Sequence, residues 1–171
     1  MGISLTLLPA SDDEIRYYVS SPSAVDARFS GIALASSSPH TCHLHDRWAA
    51  LHFLCTDDMD DGAAPLGLLK AGEIEIRGAA DPAFGIFADA VSAWHKALGA
   101  LTDEEFERRC FRADLHHGGS GGALIYPGRW PDAMNEPLAS ELREYFDRLR
   151  QFVRTTASQR LGAVFSRYED L

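Results

Sequence analysis

Residues 39–52 read PHTCHLHDRWAALH and hold four of the chain's seven histidines and one of its three cysteines. Imidazole nitrogen and thiolate sulfur are the usual ligands of zinc, so Cys42, His43, His45 and His52 are the metal candidates, with His40 beside them. The backbone decides which of them can meet. On an extended strand His43 and His45 point to one side, and Cys42 and Leu44 to the other. On a helix His45 and His52 stand at nearly the same angle, two turns apart. The two arrangements exclude each other, because position 45 is either strand or helix. A zinc enzyme or sensor needs at least three of these side chains around one point, with an open position for water if it is catalytic. The plainer expectation is that the histidines are structural or solvent-facing and that the protein has no cofactor.

Other reactive-looking groups have plainer explanations. Ser120 in GGSGG fits the G-x-S-x-G nucleophile pattern, which requires a strand before the serine and a helix after it. The residues before it are polar and helix-ending, those after it are strand-like, and all seven histidines precede it, the reverse of the order that class uses. A loop is expected there instead. Asp57, Asp58, Asp60 and Asp61 lack the spacing and the bidentate glutamate of a calcium loop and read as a solvated turn. The adjacent His116 and His117 diverge on any regular backbone, and His95 beside Trp94 reads as a boundary residue. Gly2 and Thr6 fit a myristoylation motif, but a buried first strand accounts for the same residues.

The 16 Lys and Arg against 25 Asp and Glu leave a net charge of −9, which repels phosphate backbones and anionic membranes. Nucleic acid and membrane are therefore excluded as expected partners, leaving a protein or a small ligand. An odd number of cysteines with no C-x-x-C spacing gives no disulfide framework and suits a reducing cytoplasm. The apolar start GISLTLLPA has no basic residue before it, and no apolar run is long enough to span a bilayer, so a soluble cytoplasmic protein is expected.

These groups need elements to position them. ISLTLL reads as a strand ended by Pro9, and Ser11 followed by DDE caps a helix. SPSAVDARF is a second short helix. DRWAALHFLC is apolar almost all round and reads as a buried helix carrying His52 inside. EIEIR at 73–77 alternates like a half-exposed strand, and FGIFA reads as another. Val91, Trp94, Leu98 and Leu101 mark a helix face, and Thr102 with Glu105 forms a capping-box pattern that opens the next helix. Leu138, Leu142, Phe146, Leu149 and Val153 recur at helical spacing over 136–159, and AVFSRY closes the chain as a strand. Strands at both ends with helices between give a mixed α and β class in one domain, residues 1–171.

Trp48, Leu51, His52, Phe53, Leu54 and Thr56 in LHDRWAALHFLCT, together with IYPG at 125–128, give the chain a further character. It resembles the bacterial YfbM-like family, a domain of unknown function (1877), whose matching segments read approximately L-D-I-D-K-x-W-x-x-L-H-F-x-L-T and E-I-Y-P. The order of elements agrees over nearly the whole length. The resemblance implies a three-layer arrangement, a mixed sheet flanked by helices, and brings no activity with it. His43 and His45 stand where the family has two aspartates, and Gly121, Gly122, Ala123 and Leu124 replace an acidic run. Trp48, His52 and Tyr126 are the polar and aromatic residues kept, and they are the pocket candidates. Their alternative role is a hydrogen-bonded core trio fixing helix to sheet. The function expected is a non-catalytic binding domain for another protein or a small ligand, and the alternative is the metal-binding enzyme or sensor.

Overall fold

The computed structural model describes residues 3–33, 40–57, 62–111, 124–125, 128–129 and 136–169. The two terminal strands lie side by side at its centre. β1 (Ile3–Ala10) pairs antiparallel with β7 (Gly162–Glu169) along its whole length, from Ile3 opposite Glu169 to Ala10 opposite Gly162. β2 (Cys42–His45) flanks β1, while β4 (Ala83–Ile86) and then β3 (Ile74–Glu75) flank β7, giving the order β2-β1-β7-β4-β3. β5 (Leu124–Ile125) and β6 (Gly128–Arg129) pair separately.

Every pairing in the five-stranded sheet is antiparallel, so the expected mixed sheet is corrected. Between β1 and β2 run two consecutive helices, α1 (Asp12–Ser20) and α2 (Pro22–Ala33), as expected. β2 starts opposite Leu7, near the end of β1, and runs back along it, His45 reaching Leu5. β1 also continues through Pro9 rather than ending there. β2 is registered only against Leu5 to Leu7, so no strand partner awaits the N–H that Pro9 lacks. β3 is shorter than the 73–77 expected from its alternation; it is an edge strand with Gly72 and Gly78 at positive φ on either side.

Alternation along β1 and β7 sends side chains to two different cores. Leu5, Leu7, Ala163 and Phe165 face one layer, made by α3 (Trp48–Thr56), α4 (Leu68–Ala71), α5 (Ala88–Ala100), α6 (Asp103–Cys110) and α7 (Glu136–Ser158). Leu8, Ala10 and Val164 face the other, where Ile15 and Tyr18 of α1 and Val25 of α2 cover them. Three layers result, as expected. α7 buries Leu142, Phe146, Leu149 and Val153 against the sheet side, and Phe146 stacks on Phe106 with ring centres 4.2 Å apart.

Local signals explain the helix starts. The Glu14 N–H donates to Ser11 Oγ and the Ser11 N–H donates to Glu14 Oε2, a complete capping box. At Thr102 only half of the expected box forms: the hydroxyl accepts from the Glu105 N–H, but the Glu105 carboxylate turns to Arg108 and Arg109. Gly162 sits where β4, β7 and α1 converge, and a Cβ there would lie 2.4 Å from the Ile86 carbonyl oxygen. Among the described residues no helix is long and apolar enough to cross a membrane.

Candidate functional site

The histidine segment is strand, not helix, through position 45. Cys42 and Leu44 turn into the first core, at 4% and 0% exposure, while His43 is half-buried and His45 exposed. The His43 and His45 rings lie 6.2 Å apart, and His45 also meets Tyr145 of α7 edge-on. α3 begins only at Trp48, so the helical pairing of His45 with His52 does not form. His52 is fully buried in the apolar core that α3 shares with its neighbours. Cys42 and His52 are therefore inside and His43 and His45 outside. Among the described residues no three His, Cys, Asp or Glu side chains come together in a way that could hold a metal ion.

Trp48 is also a core residue, 3% exposed, and its indole N–H donates to the Ile3 carbonyl at 2.8 Å. Tyr126 lies outside the described residues, as do Ser120, Asp58, Asp60, Asp61, His116 and His117. His95 is half-buried on α5. Burial pushes the thiols of Cys42 and Cys55 up to about 12 and that of Cys110 to about 11, so all three are protonated and inert at neutral pH.

The polar groups that do converge lie on the opposite face of the sheet, beneath α2. Register places Thr6 of β1 between His43 of β2 and Ser166 of β7, and Tyr168 follows Ser166 on the same face. Thr6 Oγ1 is 2.8 Å from His43 Nδ1 and 3.0 Å from the Tyr168 hydroxyl, a three-residue hydrogen-bonded chain across three strands. These side chains floor a cavity of about 550 Å³ roofed by Val25, Phe29 and Ile32 of α2. Asp26, Asp81 and Glu169 also line it, and Asp26 Oδ1 accepts the Ala80 N–H at 2.9 Å. Ser166 is only 4% exposed and lines the cavity, yet its hydroxyl makes no hydrogen bond among the described residues. A buried hydroxyl facing open volume is a group in position to bind something there.

Burial, and then the charge of His45, hold the His43 imidazole below its ordinary pKa, so it is neutral at pH 7. Its neutral ring can accept from Thr6 or donate to it, and the chain can reverse direction without changing its net charge. A depressed histidine pKa means that the folded chain takes up fewer protons than the unfolded one near the ordinary value of about 6.5. The stability this contributes is full above that value and is lost as pH falls through it toward the folded pKa. His43→Gln lacks this dependence. Urea unfolding at pH 7.5 and 5.5 is expected to show wild type losing more stability on acidification than the variant; equal losses would mean that His43 titrates as if unfolded.

Thr6, Ser166 and Tyr168 were not candidates from sequence. The signal was Ser4 and Thr6 in ISLTLL and Ser166 and Tyr168 in AVFSRY, polar residues two apart on the face that Leu8 and Val164 otherwise make apolar.

A family model described as a domain of unknown function (DUF1877) matches residues 1–166. Among solved structures, the crystal structure of a protein of unknown function, YfbM from Escherichia coli, is similar at a TM-score of 0.68 and 16% identity, covering 97% of this chain and 99% of that one. That likeness establishes the fold. No curated protein matches the sequence.

Proposed function

Since the chain belongs to the DUF1877 family, a domain of unknown function, across residues 1–166, we propose its role from its own cavity: a non-catalytic domain that binds a small polar ligand between α2 and the sheet. The observation that carries this reading is Ser166, a buried residue whose hydroxyl opens onto the floor of a volume of about 550 Å³ and has no partner among the described residues. Volumes of this size suit small molecules, and the lining sets an apolar roof on α2 against several polar side chains of the sheet. The His43–Thr6–Tyr168 chain supplies both donors and acceptors beside it. A concave lining favours a small ligand over a protein surface. The zinc enzyme or sensor rests on His43 and His45 alone, two ligands where three or four are needed. A cytoplasmic location fits the three unpaired, buried cysteines.

The test is a fragment screen by thermal shift on wild type and on Ser166→Leu, which fills the floor of the cavity. Fragments that raise the wild-type melting temperature are expected to lose that effect in the variant. A screen without hits, or hits that persist undiminished in Ser166→Leu, would contradict the proposal.

A further inference from the structure

We infer that the ligand is a small organic cation, an ammonium or amidinium group carried on a short apolar body; this rests on the cavity being a binding site. The lining contains Asp26, Asp81 and Glu169 but, among the described residues, no lysine or arginine. Among the described residues none of the three forms an ion pair, whereas Asp13, Glu75, Glu105, Glu141 and Asp147 each hold an arginine. His43 does not offset the charge, because it stays neutral. Three carboxylates without an ion pair among the described residues thus surround this cavity, and their field draws in cations.

Carboxylates alone would make only a solvated rim. The buried Ser166 hydroxyl at the floor is the independent sign of a ligand, and it sets the ligand's shape. A cationic head pairs with the carboxylates, a short body packs on Val25, Phe29 and Ile32, and the Phe29 ring offers a further surface to a cation. An oxygen or nitrogen at the far end reaches Ser166 and Tyr168. A metal ion suits the lining less well, because no three acidic, histidine or cysteine side chains among the described residues converge on one point. The charge is spread along the lining rather than gathered at one point.

Three probes of similar size separate the terms: 2-phenylethylammonium, 2-phenylethanol and phenylacetate, each titrated at neutral pH and low salt while backbone amide shifts are followed. The ammonium is expected to shift the amides of Thr6, Ser166 and Tyr168 and to saturate. The alcohol should bind about tenfold more weakly, the difference that two partly exposed charge pairs supply, and phenylacetate should not bind. In the double variant Asp26→Asn with Asp81→Asn, ammonium affinity is expected to fall to that of the alcohol while alcohol affinity stays unchanged, which also shows that the cavity is intact. Glu169→Gln should give a smaller loss. An alcohol or phenylacetate that binds as tightly as the ammonium, or ammonium affinity unchanged in the double variant, overturns the cation while leaving the cavity as a binding site. No shift at those amides with any probe also overturns the cation, and the cavity reading falls with it only if the fragment screen is empty too.

Discussion

Replacing Phe146 with alanine is expected to lower stability by about 4 kcal/mol, a large share of what a domain of this size has. Phe146 is 1% exposed, and its ring lies almost parallel to that of Phe106, at 9°, where α7 meets α6. Arg150 covers the same ring at 4.5 Å and is held there by Asp103 and Asp147. Truncation removes the transfer energy of the ring, leaves a hole beside Phe106, and withdraws the surface beneath Arg150. The neighbours are parts of two helices and cannot close the hole without moving one of them. Phe146→Leu keeps most of the volume and should cost roughly 1 kcal/mol. Urea unfolding measures both; a loss under about 1 kcal/mol for the alanine variant would show that the helical layer repacks freely.

Arg167→Ala is expected to cost about 3 kcal/mol, from the loss of charged hydrogen bonds and of cation–π contact. The Arg167 guanidinium lies over the rings of Trp48 at 4.4 Å and Phe84 at 5.0 Å. Its Nη2 donates to the carbonyls of Leu69 and Lys70 in α4, charge-assisted bonds that a neutral side chain could not replace. One side chain thereby fastens α3 and α4 to the last strand. Arg167→Lys keeps the charge but not the planar fork, and Arg167→Met keeps the packing but not the charge, so both should fall between wild type and alanine. Equal stability of all four in thermal unfolding would mean that the aromatic cage stands without its cation.

Trp48 illustrates what a sequence can and cannot disclose about such a residue. Its place on a buried helix was legible from the apolar run around it, and so was its need for a partner for the indole N–H. That the partner is Ile3 and the ring contact Arg167 was not, since both come from strands distant in sequence. The same holds for the candidate site. Tyr168 and Thr6 stand at opposite ends of the chain and meet only because β1 and β7 pair along their full length. Alternation in either strand shows a polar face, but the register that joins the two faces is a property of the pair.

Short-range features were the most readable. The cap at Ser11 and the stripe of α7 are set by residues three and four apart, and both were legible. The Thr102 box formed only in part because Arg108 and Arg109 compete for the Glu105 carboxylate. The histidine cluster was conspicuous for its composition, yet a strand separates neighbours onto opposite faces. Cys42 went to the core and His43 to the cavity wall, so the chemistry that proximity in sequence suggested was divided between two sides of a sheet.

The most direct test of the binding cavity is a map of backbone amide shifts on adding the strongest hit from the fragment screen. The perturbed amides are expected to centre on Thr6, Phe29, His43, Ser166 and Tyr168, under α2 and on the second face of the sheet. Saturable perturbations centred elsewhere, with those five amides unmoved, would contradict it.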